Sequence, residues 1–331
     1  MERAREPPAA VGRRAEGGLK GGLDLGGTKI QAVVTDGDAT VVGRARRDTP
    51  RRGGAEAVLA ELADAMRDAL DDAGVEPMAL SGVGVGAPGS VDPATGTVVQ
   101  VANIEGWEAP YALGPALAEE LGRPVAVGND VSVAVEAERR HGAGRGYASF
   151  LGVFWGTGVG GGIVMDGRVV QGRGSAGEIG HVCAKPGGRR CACGLRGCVE
   201  AYAGRSALEA RARQEARKRS TCLFEIAAKR GRDRLTSGVW LRALEQGDAL
   251  AQELLEGAVQ ALGVGIGSAV TLLDVEAVVL GGGLGERLGE DWLRRIEAAA
   301  AGHTFFAERP RYALAELGDL GGAIGASLVA P

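Results

Sequence analysis

The chain has no surplus of basic residues: 38 Lys and Arg stand against 42 Asp and Glu in 331 residues, a formal net charge of -4. Binders of nucleic acid or of membrane surfaces usually carry a basic excess, so neither partner is expected. Residues 1–20 contain no apolar run long enough for a signal peptide or a membrane span. There is no G-x-x-x-x-G-K-[ST] loop, which excludes the most familiar phosphate cradle. Scattered cysteines are lacking too. Cys183, Cys191, Cys193 and Cys198 fall within sixteen residues and only Cys222 stands apart, a spacing that favours a metal over a disulfide framework.

What is present is a globular composition rich in glycine, with 45% hydrophobic and 24% charged residues and 57 Gly. At this length a single core usually stops growing, so two lobes with a cleft between them are expected. Residues 1–19 read as a flexible cytoplasmic tail. A small lobe is expected over 20–127 plus about 317–331, and a large lobe over 128–316.

The segment from Gly22 to Asp48 reads as strand, Gly-Gly turn, strand, Asp-Gly turn, strand, an antiparallel meander. The stretch from Ser149 to Gly172 repeats this plan: Gly26 precedes Asp36 by ten residues, and Gly156 precedes Asp166 by ten. Between the copies lie an amphipathic helix ending at Gly74, a buried strand running into a Gly-Pro loop, the short strand PVAV, and a helix ending at Gly142. Helices over 206–220, 247–273 and 290–302 surround one strong strand, VEAVVLGGG. The fold class is therefore α/β with duplicated β-meander units.

Gly-rich turns let backbone N–H groups approach oxyanions, and the chain has two of them plus a third glycine cluster. Gly156, Gly158 and Gly161 formally satisfy G-x-G-x-x-G, but a strand follows where a dinucleotide site needs a helix. Plain tight turns are the alternative to phosphate loops. Together these segments resemble the ROK family of sugar kinases and sugar-responsive repressors. Asp24-Leu-Gly26-Gly27-Thr28-Lys29 resembles its first phosphate motif, Gly156-Thr157-Gly158-Val-Gly-Gly-Gly its second, and Leu280-Gly-Gly282-Gly283-Leu-Gly its adenosine motif. The resemblance runs from about residue 20 to the C-terminus and implies the two-lobed actin/hexokinase-like (ribonuclease H-like) fold. It also implies ATP and hexose as substrates, Mg²⁺ handled by Asp24, and a homodimer. The repressors of this family carry a DNA-binding module ahead of the first motif; only about twenty residues precede it here, so a kinase is expected.

Asp130, at the end of the PVAV strand, corresponds to the family's general base, and on the residues alone it is equally suited to capping the helix that follows. Val131 and Ser132 stand where the family usually has Ala and Asn. His181, Cys191, Cys193 and Cys198 form a Cys3His set suited to a closed tetrahedral structural Zn²⁺ site, with Cys183 as a nearby competitor. Glu178, His181 and Glu200, close to that metal, are candidate hexose contacts, and the resemblance adds Asn103 and Asn129. Trp107 either flanks the pocket or is simply buried. Glucose is the first choice, with mannose, fructose and N-acetylmannosamine as family alternatives; a sugar-binding protein without catalysis is the remaining reading.

Overall fold

The protein is represented by a computed structural model that describes residues 18–99, 104–173, 175–305 and 308–331. The expected hexose contact Asn103 lies outside the described residues, as does most of the expected tail; β1 already begins at Leu19.

In chain order the first half contains β1 (Leu19–Leu25), β2 (Lys29–Thr35), β3 (Val41–Asp48), α1 (Gly54–Ala73), β4 (Leu80–Ala87), the short β5 (Val91–Asp92) and β6 (Thr97–Val98), α2 (Leu113–Leu121), β7 (Val125–Asn129) and α3 (Asp130–His141). The second half begins with β8 (Phe150–Trp155), β9 (Val159–Met165) and β10 (Arg168–Val169), followed by α4 (Glu200–Ala203), α5 (Arg205–Glu215), α6 (Leu223–Lys229), α7 (Ser237–Glu245) and α8 (Ala249–Leu273). It closes with β11 (Ala277–Gly281), α9 (Gly285–Leu288), α10 (Glu290–Ala301), β12 (Arg311–Leu314) and α11 (Gly321–Val329).

The duplication expected from the turns is seen in the sheets. One has the order β3-β2-β1-β4-β7 and the other β10-β9-β8-β11-β12. In both, the first three strands are antiparallel and the last two join in parallel. The second meander turns at Asp166 (φ 50°) and Gly167 (φ 69°), the pair of positive φ values that a two-residue hairpin loop with right-handed strand twist requires.

Helices α3 and α11, which each follow the last parallel strand of a copy, cross in backbone contact: a Cβ at Gly325 would lie 1.9 Å from the Val133 carbonyl oxygen. The same approach places α11 on the first sheet, where a Cβ at Gly84 would meet the Ala326 carbonyl oxygen at 1.8 Å. Across from them, α1 buries Val58, Leu62, Met66 and Leu70 against the first sheet. α8 buries Leu255, Leu262 and Ile266 in the second core with Leu151, Val153 and Trp155. By length and composition α8 would reach across a membrane, with a mean hydropathy of 1.3, but most of that stretch is buried inside the fold.

Some elements depart from expectation for local reasons. The helix expected over 206–220 stops at Glu215, and 216–218 continue only as turns. α8 starts at Ala249 because the Asp248 side chain accepts the Ala251 N–H at 2.9 Å. α6, α7 and β12 are only seven, nine and four residues long, too short for the sequence pattern to announce them.

Candidate active site

The strand ends and Gly turns of both copies open onto one cleft of about 1010 Å³. Asp24, Thr28 and Lys29 line it from the first copy, Gly156 and Thr157 from the second, Gly282 and Gly283 from the third glycine cluster, and Asp130 from the start of α3. The first turn is closed by the Gly26 N–H donating to the Lys29 carbonyl at 3.0 Å, and Thr49 Oγ1 donates to the Gly26 carbonyl at 2.7 Å. In the second turn the Gly156 N–H donates to the Gly158 carbonyl at 3.0 Å. Gly282 has φ 84°, and a Cβ there would press on the Trp155 backbone at 2.7 Å, so the third cluster lies directly against the strand that carries the second turn.

Asp24, Asp130, Glu138, Glu286 and Asp319 all line the cleft, and burial acts most strongly on Asp24 and Asp130. Burial pushes the Asp24 carboxyl up to about 6, opposed by the Lys29 ammonium and helped by Asp319. Burial pushes Asp130 further, to about 7, with the charges of Asp24 and then Glu178 adding to it and the Val131 N–H opposing. α3 takes its cap from the residue before Asp130: Asn129 Oδ1 accepts the N–H groups of Val131 and Ser132, both at 3.1 Å. The capping role weighed for Asp130 thus belongs to Asn129. Asp130 Oδ1 accepts the N–H of Val131 at 2.9 Å, its own N–H also favours the charged carboxylate, and the residue lines the cleft. Asn129 also donates from Nδ2 to the Gly89 carbonyl at 3.2 Å, which leaves one amide hydrogen for anything else.

The ligand atoms of His181, Cys191, Cys193 and Cys198 all lie within 4.8 Å of one another. The Cys193 and Cys198 sulfurs are 3.8 Å apart, which matches the edge of a tetrahedron with metal–sulfur bonds of about 2.3 Å. His181 turns Nδ1 toward Cys191 Sγ at 3.9 Å and Nε2 toward Glu178 Oε2 at 4.0 Å, so one ring nitrogen faces the cluster and the other a carboxylate near Asp130. Cys183 stays outside, with its sulfur 3.9 Å from the Arg196 carbonyl. Glu200 bridges the cluster and the second turn: Oε2 accepts the Val159 N–H at 3.0 Å, and Oε1 lies 3.8 Å from Cys191 Sγ. A Cβ at Gly158 would come within 2.3 Å of that Oε2.

The sequence profile of the ROK family matches residues 20–331. The chain belongs to the ROK family. It is 33% identical over 271 residues to a glucokinase of Thermotoga maritima, covering 81% of this chain and 83% of that one. It is also 33% identical over 318 residues to an N-acetylgalactosamine kinase of a Shewanella species, covering 93% and 95% of the two chains. A ROK glucokinase from Streptomyces griseus, solved with glucose and AMPPNP, superimposes with a TM-score of 0.81 at 32% identity, covering 95% of this chain and 99% of that one. The two five-stranded sheets around the cleft are thus the actin/hexokinase-like fold of the ROK sugar kinases.

Within this ROK cleft several residues went unnoticed in the sequence. Arg205 donates from Nη2 to Thr157 Oγ1 at 2.7 Å and from Nη1 to the Leu235 carbonyl at 3.1 Å, fixing a guanidinium beside the second turn. Arg230, Arg232 and Arg287 line the same end, and Nη1 of Arg230 and of Arg287 lie 3.3 and 3.7 Å from the point where a Gly238 Cβ would stand, at the start of α7. In a polar loop such arginines look like an ordinary solvated surface. Asp319, from the far end of the chain, pairs with Lys29 at 3.1 Å. Trp107 is buried and meets Tyr111 edge-on with ring centroids 6.0 Å apart, so it belongs to the core.

Proposed function

We propose that the protein transfers the γ-phosphoryl group of ATP to a hexose, glucose first, with Asp130 as general base. The observation that carries this reading is the convergence of Asp130, Asp24 and all three glycine segments on one cleft. Asp130 takes the proton of the attacking sugar hydroxyl while that oxygen bonds the γ-phosphorus and the bond to the β-phosphate oxygen breaks, releasing ADP and the sugar phosphate. A carboxyl held near 7 suits that step at neutral pH. The Gly turns position the phosphates with backbone N–H groups, and Arg205 adds positive charge at Thr157.

Among the described residues no group donates a hydrogen bond to the Asp24 carboxyl, so its oxygens are open to a Mg²⁺ shared with the ATP phosphates, with Lys29 nearby as a second positive charge. The ion would supply charge neutralisation at the transferred group. His181, Cys191, Cys193 and Cys198 fit a structural Zn²⁺, which would fix the ring of His181 and the loop leading to Glu200. Glu178 and His181 then present their free polar atoms to the hexose. The first sheet with α1, α2 and α11 would form the small lobe and the second sheet with the zinc loop the large one; a homodimer is expected and checked by light scattering.

A coupled assay with ATP over a sugar panel tests the reading. Turnover with glucose supports it, preference for an N-acetylhexosamine moves the substrate within the same reaction, and tight sugar binding without any phosphorylation sinks the kinase.

A further inference from the structure

The chain passes between its two sheets twice, over 142–149 from α3 to β8 and over 315–320 from β12, in the second sheet, to α11, which packs on the first. Both crossings meet at one side chain. Glu138, near the end of α3, is 2% exposed. Its Oε2 accepts the N–H groups of Ala143 at 2.8 Å and Glu316 at 3.1 Å, and its Oε1 accepts that of Leu317 at 3.0 Å. Among the described residues no Lys, Arg or His forms a salt bridge with it. A buried carboxylate whose partners are all backbone amides is costly to keep and rigid once satisfied. The fit is tight, since a Cβ at Gly142 would stand 2.0 Å from its Oε2. On the surface above, Arg145 Nη2 and Glu316 Oε2, 3.6 Å apart, link the same two crossings again.

The second crossing leads straight into the first phosphate turn. Asp319 pairs with Lys29 at 3.1 Å, and Gly322 packs so close to Asp24 that a Cβ there would lie 2.7 Å from the carboxyl carbon. The other end of α3 is Asp130 itself, about 12 Å along the helix from Glu138. We propose that Glu138 is a positioning residue that ties the two crossings together and so holds Asp130 in register with Asp24 and Lys29. The proposal rests on the phosphoryl-transfer reading only for its kinetic readout. Transfer tolerates little misplacement, so a loosened tie affects turnover before it affects hexose binding.

Glu138→Gln keeps the shape but turns one acceptor atom into a donor that faces backbone N–H groups. The expected result is a fall in kcat of about 10- to 100-fold. Hexose affinity, titrated calorimetrically without nucleotide, should stay within about twofold, and amide exchange over 315–320 should speed at least about tenfold while that over 181–199 is unchanged. Should this variant not fold, Glu316→Ala removes only the exposed link and keeps its own N–H. It is expected to lower kcat about two- to fivefold at unchanged hexose affinity. A folded variant with faster exchange over 315–320 and wild-type kcat overturns the proposal, as does a parallel loss of kcat and hexose affinity. If the wild-type protein phosphorylates no hexose, the kinase reading fails by itself and the exchange result alone decides whether Glu138 ties the crossings.

Discussion

The two copies of the meander have the same strand order and opposite residues at the matching place. Two residues before its Gly turn the first copy has Asp24, on the cleft; two residues before the second turn the matching residue is Phe154, packed near Gly281 and also lining the cleft. The helices that close each copy differ in the same sense, since α3 begins with Asp130 and α11 with Gly321 and Gly322. Only the second copy carries the Cys3His loop, tied back to its turn through Glu200. Duplication thus supplied two Gly turns on one cleft, and divergence placed both acids on one copy and the Cys3His cluster on the other. The division has a physical advantage: one buried carboxylate already raises the pKa of the other, and a third at Phe154 would add to that repulsion.

Removing the first copy's base should have the largest effect. Asp130→Asn is expected to lower kcat by about two to four orders of magnitude at hexose affinity within a few fold, measured by coupled assay and calorimetry. Near-wild-type turnover would dismiss Asp130 as the base. Asp24→Asn should lower kcat about 10- to 100-fold and raise the Mg²⁺ concentration needed for half-maximal rate; a Mg²⁺ dependence like the wild type's would remove Asp24 from the metal.

The rim of the second copy comes next. Cys193→Ser, or chelation, should weaken hexose binding at least about tenfold in protein that circular dichroism shows to be folded, because His181 loses its fixed orientation. Unchanged affinity in such a sample leaves the metal as a staple only.

The smallest effects are in pH. The base form of Asp130 fills as pH rises through about 7, so kcat/KM should climb to a plateau above that point. In Asp24→Asn a like charge is gone and the midpoint should move down; a midpoint that stays put would mean the two acids do not interact. Because the folded-state value lies above the ordinary 3.8, the folded protein holds a proton that the unfolded chain releases between about 4 and 7. Stability from this group therefore falls as pH rises through that window, and Asp130→Asn should flatten the fall, gaining on the order of 1–3 kcal/mol at pH 8 in urea unfolding.

Local chemistry made part of this legible in the residues alone. Asp166 and Gly167 specify their turn by backbone sterics, the glycine clusters mark where strands end, and three cysteines with a histidine in eighteen residues announce a cluster because sulfur and imidazole ligands must come close to bind one ion. The resemblance to ROK motifs then singled out Asp24 and Asp130. Other features depend on segments that meet only after folding. Asn129 takes the cap because the end of β7 sets its backbone extended, which leaves Asp130 free for the cleft. Asp319 reaches Lys29, and Glu138 reaches Leu317, across 290 and 179 positions of chain, separations at which no spacing rule operates. Burial raised Asp130 to about 7, and burial is a property of the packed sheets and helices around it. The order of residues determined which groups were available; the crossing of α3 and α11 between the two sheets decided which of them face one another.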